Sequence, residues 1–440
     1  MTVRSSASSL PPSPGRRAAI VAGLRTPFVR AGTDLAQLDV LDLAVAVSVE
    51  LLQRSGLDPY DVDHVIYGNV TRPVQYSNLA RELVLAAGLP KRTPADTVTL
   101  ACASAAQAIT DATNLIERGY ADVVLAGGVE MLSNVPIGLS PPLARALVSA
   151  SQSRSMAARL QSFRGLSVAD LPPVTPSIAE TSTGLSMGQS AELMAKLNGI
   201  SRADQDAWAL GSHRKAAAAW ADGRMAEEVA PVYVADKGGR AVVRDNHIRP
   251  DTSLEKLAQL KPVFDRQYGT VTAGNASPLT DGAASVLLMT ADRARALGLP
   301  VRAFVRSYAY TAVDPAGQLL IGPAYAIPLA LERAGLQLSD IDVVEMHEAF
   351  AAQVLSTLQK LESRTFANEE LGRSEAVGCI DPNRMNLHGG SIALGHPFGA
   401  TGARCVTTVA NEMERQSAQF GLVSVCAAGG VGVAVVLERA

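Results

Sequence analysis

Gly56-Leu57-x-x-x-Asp61-Val62-Asp63-x-Val65 returns 279 residues later as Gly335-Leu336-x-x-x-Asp340-Ile341-Asp342-x-Val344. The residues just upstream match as well, Leu52-x-Arg54-x-Gly56 against Leu331-x-Arg333-x-Gly335. Each copy reads as the end of a helix, a glycine stop, an acidic turn and an apolar strand. A second echo sets Ala126-Gly127-Gly128 beside Ala428-Gly429-Gly430, each closing a strand that follows a helix. Two echoes in the same order are the signature of a duplicated unit, here two α/β halves.

Outward from this repeat, short apolar runs at 18–22, 62–67, 122–126, 284–289, 341–346, 422–426 and 431–437 alternate with helical patterns such as 103–118 and 402–415. That alternation predicts layered α/β architecture. The region between the halves differs. Residues 133–279 hold few clear strands and carry Pro172-Pro173, Pro176 and Gly238-Gly239, which marks an inserted loop domain over the paired halves. The predicted organisation is a disordered tail (1–17), an N-terminal half (18–132 with 280–301), the loop domain (133–279) and a C-terminal half (302–440). Within the insertion, 143–163 is helical in pattern, with Leu143, Leu147, Met156, Leu160 and Phe163 as its apolar stripe. Arg145, Arg154, Arg159 and Arg164 face only Asp170 nearby. Two readings stay open: a solvated helix, or a surface that meets anionic lipid or a partner.

Composition excludes several classes. The chain has 440 residues and a net charge of −3, from 39 basic and 42 acidic residues, so bulk charge gives no case for nucleic-acid binding. Aromatics at 4% argue against a base-stacking surface. The most apolar candidate span, 41–52, is short and carries Asp42 and Glu50, which excludes it as a membrane span. Residues 1–17 are Ser/Pro/Arg-rich without an apolar core, so they read as a disordered tail rather than a secretory signal. The four cysteines, Cys102, Cys379, Cys405 and Cys426, show no C-x-x-C spacing. Neither a zinc site nor a disulfide framework is expected, and a reducing, cytoplasmic setting fits.

Four residues stand out chemically. Cys102 lies in Thr99-Leu100-Ala101-Cys102-Ala103-Ser104, where a strand-like approach meets a helix of small residues. A thiol at a helix N-terminus feels unpaired N–H groups, which lower its pKa; a small buried core cysteine is the alternative. His396 precedes a proline in a loop dense in glycine, Asn386 to Gly402, where backbone can approach a ligand closely. His347 follows the repeated strand in Glu345-Met346-His347-Glu348-Ala349-Phe350 and is either a site residue or a helix cap. Cys426 ends another strand before Ala427-Ala428-Gly429-Gly430, as a site thiol or a core thiol. A thiol nucleophile needs a base, an attacked carbonyl needs oxyanion donors, and a carbanion needs a proton donor. This Cys/His/His/Cys set spans those needs.

In these segments the chain resembles the thiolases, from about Ile20 to Glu438. Five blocks carry the likeness: the Cys102 segment; Ala126 to Asn134; Gly269 to Ser277 continuing to Thr280-Asp281-Gly282-Ala283-Ala284; His347-Glu348-Ala349-Phe350; and the Gly395-His396-Pro397 and Cys426 loops. The look is nearest to the thiolase subunit of fatty-acid β-oxidation complexes. The resemblance implies a five-layer αβαβα fold and thiolytic cleavage of 3-ketoacyl-CoA, with coenzyme A as co-substrate and no separate cofactor or metal. Cys102 then matches the acylated nucleophile. His396 matches the histidine that activates it and helps bind the thioester oxygen, and Cys426 the acid/base acting on the acetyl C2. His347 falls where many thiolases have asparagine holding a catalytic water, and an imidazole there implies a pH-sensitive oxyanion site. Ser277 matches a coenzyme A contact, and the N–H groups of Cys102 and Ala428 the second oxyanion hole. The family usually has glycine at Ala428 and Ala105, but only backbone N–H is required. The resemblance also implies a homodimer or homotetramer, a hydratase/dehydrogenase partner subunit and peripheral membrane contact. Three rivals remain: a biosynthetic condensing thiolase, a β-ketoacyl synthase, which needs no Cys426, and a non-catalytic scaffold.

Overall fold

The computed structural model describes residues 16–176, 179–235 and 239–440. Most of the expected tail, through residue 15, lies outside them. Arg16 and Arg17 are tied to the fold by ion pairs with Asp122 and Glu438.

The first half runs β1 (Ala18–Arg25), β2 (Val29–Arg30), α1 (Val40–Ser55), β3 (His64–Gly68), α2 (Leu79–Ala86), β4 (Ala95–Val98), α3 (Ser104–Glu117) and β5 (Val123–Glu130). The insertion holds α4 (Pro141–Gln152), α5 (Met156–Gln161), α6 (Met187–Asn198), α7 (Arg202–Ala221), α8 (Arg224–Glu228), β6 (Val232–Val234), β7 (Arg240–Val242) and α9 (Leu254–Ala258). The chain then returns through β8 (Thr280–Thr290), α10 (Ala291–Ala296), β9 (Ala303–Ala312), α11 (Gly322–Ala334), β10 (Val343–Met346), α12 (Ala351–Glu362), α13 (Arg364–Glu369), α14 (Ser391–Leu394), α15 (Thr401–Gln416), β11 (Phe420–Ala427) and β12 (Val431–Arg439).

The strand order is β10-β11-β12-β9-β1-β8-β5-β3-β4. Both halves repeat one pattern: a parallel pair (β3 with β5, β10 with β11), then two antiparallel neighbours. Only two rungs, Ala19 to Phe304 and Ile20 to Ala303, join the halves. The strand equivalent to β4 is reduced in the second half to one parallel bridge, Met385 to Val344. There the Asn386 side chain takes over as strand partner, accepting from Met346 N–H at 2.8 Å and donating to Met346 O at 2.9 Å.

The sequence repeat is visible in detail. Gly56 and Gly335 both end helices in the left-handed region, φ 68° and 70°, where glycine carries no Cβ penalty. Asp63 accepts from the N–H groups of Asp122 and Val123, and Asp342 does the same with Gln419 and Phe420. Each carboxylate thus latches the start of the neighbouring parallel strand. The second echo does not survive: Gly127 and Gly128 lie inside β5, whereas Gly429 and Gly430 form a turn after β11. The same three letters serve close packing in one place and positive φ in the other.

Strand alternation builds the layers. On β12, Val433, Val435 and Leu437 face the central core while Ala434 and Val436 face the outer one; β8 divides likewise, with Val286 and Leu288 inward and Leu287 and Met289 outward. The central core holds α3 and α15 between the two sheet halves, with α1 and α2 outside one half and α11 outside the other. This is the αβαβα stack. Its middle helices touch closely because small residues meet: a Cβ on Gly402 would lie 2.5 Å from Ala106 N. That contact brings the starts of α3 and α15 together, and with them Cys102 and His396.

The insertion departs from the single helix expected over 143–163. Ser153 ends α4 and Ser155 caps α5, its side chain accepting from Ala158 N–H. Serine competes with the backbone for such bonds, so it favours a break. The stripe is correspondingly split, and Met156 and Leu160 are 67% and 69% exposed. Among the described residues no helix is long and apolar enough to cross a membrane.

Candidate active site

Cys102 sits in the turn that converts β4 into α3. Ser104 Oγ accepts from Leu100 N–H at 2.8 Å and donates to Ala101 O at 2.6 Å. The turn forces Ala101 to φ 45°, a conformation that costs a non-glycine residue roughly 1–2 kcal/mol. That turn places Cys102 just before the first turn of α3.

His347 is carried at the end of β10, its N–H donating to Ser424 O at 2.8 Å. His396 stands between α14 and α15, its N–H donating to Pro278 O at 3.2 Å. The two buried rings lie 4.0 Å apart at 43°, with Phe398 against His396 at 4.9 Å. The Cys102 sulfur and one nitrogen from each ring all lie within 4.8 Å of one another. Each ring is anchored through Nδ1, His347 to Ser391 Oγ at 2.8 Å and His396 to Thr401 Oγ1 at 2.6 Å. Both Nε2 atoms are buried without a hydrogen-bond partner in the protein. They are the groups free to meet a substrate.

Cys426 is the penultimate residue of β11 and is buried; burial, and then Cys102, push its thiol well above the ordinary range. The backbone N–H groups of Ala428 and Cys102 lie near enough to the Cys102 sulfur to pull its pKa down. Ser277 lies in the segment that bridges to Phe350 and His396, its N–H donating to Ala349 O at 3.0 Å.

Electrostatics corrects two expectations. Burial pushes the Cys102 thiol up to about 12, outweighing the N–H groups that pull it down. The helix N-terminus therefore does not by itself make a thiolate. Burial pulls His396 down to about 3 and His347 well below its ordinary value, with Arg404 adding to both and His396 to His347. Both imidazoles are neutral at neutral pH, so His347 gives the site no titration in the physiological range. The resting state is a thiol facing two neutral rings. Among the described residues this trio is also the group whose donor atoms converge enough for a metal.

Two buried carboxylates, present in the recognised motifs but given no role by sequence reasoning, brace the loops. Glu130 accepts from Val70 N–H at 3.1 Å, Thr71 N–H at 2.9 Å and Gly399 N–H at 2.9 Å. Glu348 accepts from Trp208 Nε1 at 2.9 Å, Ser212 Oγ at 2.7 Å, Asn386 Nδ2 at 2.9 Å and Ile392 N–H at 3.2 Å. Glu348 so ties α7 of the insertion to the histidine loop. Gly390 must lack a side chain here, since a Cβ would fall 2.3 Å from Glu348 Cδ. Ser391, Thr401 and Arg404 also went unsingled. The sequence signal was a lone charge, Arg404, among the small and uncharged residues 400–410.

A cysteine with backbone N–H groups near its sulfur, two imidazoles in reach and a second thiol nearby is a group suited to acyl transfer, on a duplicated α/β fold. The chain matches the thiolase N-terminal domain over residues 18–292 and the thiolase C-terminal domain over residues 299–439. It is 48% identical to a 3-ketoacyl-CoA thiolase of Yersinia pestis (strain Pestoides F) over 424 residues, 96% of this chain and 97% of that protein. Among solved structures it is similar to human mitochondrial 3-ketoacyl-CoA thiolase in complex with CoA (TM-score 0.82, 33% identity, 97% of this chain and 98% of that one). It is also similar to the Bacillus anthracis acetyl-CoA acetyltransferase (TM-score 0.84, 33% identity, 97% and 99%). The chain belongs to the thiolase family, and it is an acyltransferase.

Proposed function

We propose that the protein cleaves 3-ketoacyl-CoA with coenzyme A, giving acetyl-CoA and an acyl-CoA two carbons shorter, as a step of fatty-acid β-oxidation. The observation that carries this is the convergence of Cys102, His347 and His396 within 4.8 Å, with Cys426 beside the nucleophile. The names of the relatives support the substrate class, and the CoA-bound neighbour supports the co-substrate.

The chemistry follows from a neutral resting site. As the Cys102 sulfur adds to the 3-keto carbon, its proton passes to His396 Nε2, so no thiolate has to pre-exist. The new oxyanion takes the N–H groups of Cys102 and Ala428. The C2–C3 bond breaks and its electron pair enters the acetyl-CoA enolate, whose oxygen meets the histidine pair. Cys426 gives its proton to C2, and acetyl-CoA leaves. The Cys426 thiolate then takes the thiol proton of coenzyme A, whose sulfur attacks the acyl group on Cys102. The Cys102 thiolate is expelled and recovers its proton from His396. The raised thiol pKa of Cys426 keeps it protonated at rest, with a proton to give, and makes its thiolate a strong base toward the coenzyme A thiol. Ser277 is assigned a coenzyme A contact, and the exposed apolar residues of α4 and α5 a place at the acyl entrance, near membrane or partner. A homodimer or homotetramer in the cytoplasm, joined to a hydratase/dehydrogenase subunit, completes the proposal.

The test is turnover of acetoacetyl-CoA with coenzyme A, together with mass spectrometry for an acyl group on Cys102. Ping-pong kinetics and acylation at Cys102 are expected. Turnover retained in Cys102→Ala would overturn the reading.

A further inference from the structure

Ser391 stands between two groups of fixed character. Its Oγ is 3.1 Å from Arg404 Nη2 and 2.8 Å from His347 Nδ1. A guanidinium only donates, so Ser391 accepts from Arg404. Its single hydrogen then has one remaining neighbour, His347 Nδ1, which must accept it. If Ser391 accepted from both, a buried hydroxyl hydrogen would be left without a partner, which native interiors avoid. A neutral imidazole that accepts at Nδ1 carries its proton on Nε2.

The other ring shows the reverse. Thr401 Oγ1 lies 2.6 Å from His396 Nδ1 and donates to Pro397 O at 3.1 Å. A hydrogen kept on Pro397 O leaves the hydroxyl oxygen to accept from Nδ1–H and His396 Nε2 bare. Thr401 and Arg404 are three residues apart on α15, hence on one face. Arg404 is fully buried and ion-paired with Glu345, two residues before His347 on β10.

We infer that one face of α15 sets the two active-site imidazoles in opposite tautomers: Thr401 makes His396 an acceptor at Nε2, and Arg404, through Ser391, makes His347 a donor at Nε2. The inference rests on the thiolase reading of the site. It supplies what that reading needs, one base for the Cys102 proton and one N–H for the enolate oxygen. Two rings in the same tautomer would present two bases or two donors. Ser391, Arg404 and Thr401 touch no reacting atom in this scheme and are positioning residues. Glu345 holds the Arg404 guanidinium in place.

The protein contains six histidines, few enough for long-range ¹H–¹⁵N spectra of histidine-labelled enzyme, with His347→Asn and His396→Asn assigning the signals. The expected result is a protonated Nε2 for His347 and a protonated Nδ1 for His396; the reverse pattern, or one tautomer for both, overturns the inference. A kinetic arm uses Ser391→Ala. Turnover should fall toward the roughly 10²–10³-fold expected for a lost oxyanion donor. Alkylation of Cys102 by iodoacetamide, followed by peptide mass, should keep its rate because it needs only the sulfur and His396. Ser391→Thr should recover most of the turnover. Unchanged turnover in Ser391→Ala, or an equal fall in alkylation, overturns the role. If the wild-type enzyme does not turn over acetoacetyl-CoA, the thiolase reading fails while the tautomer spectra still decide the inference.

Discussion

Replacing Gly128 by alanine should damage catalysis far more than stability. Gly128 lies inside β5, where every residue is buried, and an added Cβ would fall 1.9 Å from Gly399 O. Ordinary contact begins at ~3.4 Å, so the Gly399 carbonyl must retreat by about 1.5 Å. The β5 backbone cannot yield instead, being paired with β3 on one side and β8 on the other. The histidine loop has to move, and Gly399 is three residues from His396 on a segment held by Glu130 through Gly399 N–H at 2.9 Å. Displacing a catalytic group by about 1 Å costs on the order of 10² in rate, whereas overpacking a core costs roughly 1–3 kcal/mol. The expected outcome for Gly128→Ala is a soluble protein with native circular dichroism, a Tm lower by only a few degrees, and turnover of acetoacetyl-CoA down about 100-fold. Full turnover with a normal Tm would show that the loop is not fixed by this contact, and the account of how β5 positions His396 would be wrong.

Gly211→Ala is the opposite case: the glycine sits inside α7 with no atom within 4 Å of an added Cβ, so the variant should gain about 0.5–1 kcal/mol, read as a higher Tm at unchanged turnover, and a loss of stability would contradict it. Cys426→Ala should reduce turnover roughly 10²–10⁴-fold, the usual acid–base contribution, and activity within tenfold of wild type would remove Cys426 from the mechanism. Acid should destabilise the fold before carboxylates titrate. His213 and His247 are drawn down to about 4 by burial, so between about 6.5 and 4 the unfolded chain binds more protons. Stability from these two rings is then fully present above 6.5 and falls with pH by up to ~1.4 kcal/mol per unit for each; a urea midpoint that stays flat from pH 7 to pH 5 would refute this. Assembly is checked by native mass, which should be two or four times 45.9 kDa at micromolar concentration, and a single chain mass would refute the oligomer.

The duplicated fold was legible because its repeat is structural punctuation. Gly56 and Gly335 stop helices in the left-handed region, and Asp63 and Asp342 latch the next strand, so letters and roles coincide. The Ala-Gly-Gly echo misled because glycine answers two unrelated needs, close approach in β5 and positive φ after β11. The insertion misled for a different reason: apolar spacing was read through Ser153 and Ser155, whose capping splits the helix. Cys102, His347, His396 and Cys426 were legible as residue types in distinctive loops, but their protonation was not. A helix N-terminus suggested a lowered thiol pKa, and the depth of burial, which no local segment encodes, reversed it. The bracing residues were hidden for the same reason. Glu130, Glu348 and Arg404 act across 269, 136 and 13 residues of chain on Gly399, Ser212 and Ser391. What joins them is the middle layer. Small residues let α3 and α15 approach within one Cβ of collision at Gly402 and Ala106, which sets Cys102 of one half against His396 of the other. A site assembled from two halves needs a contact that neither half can specify alone, and here that contact lies in the core between the sheets.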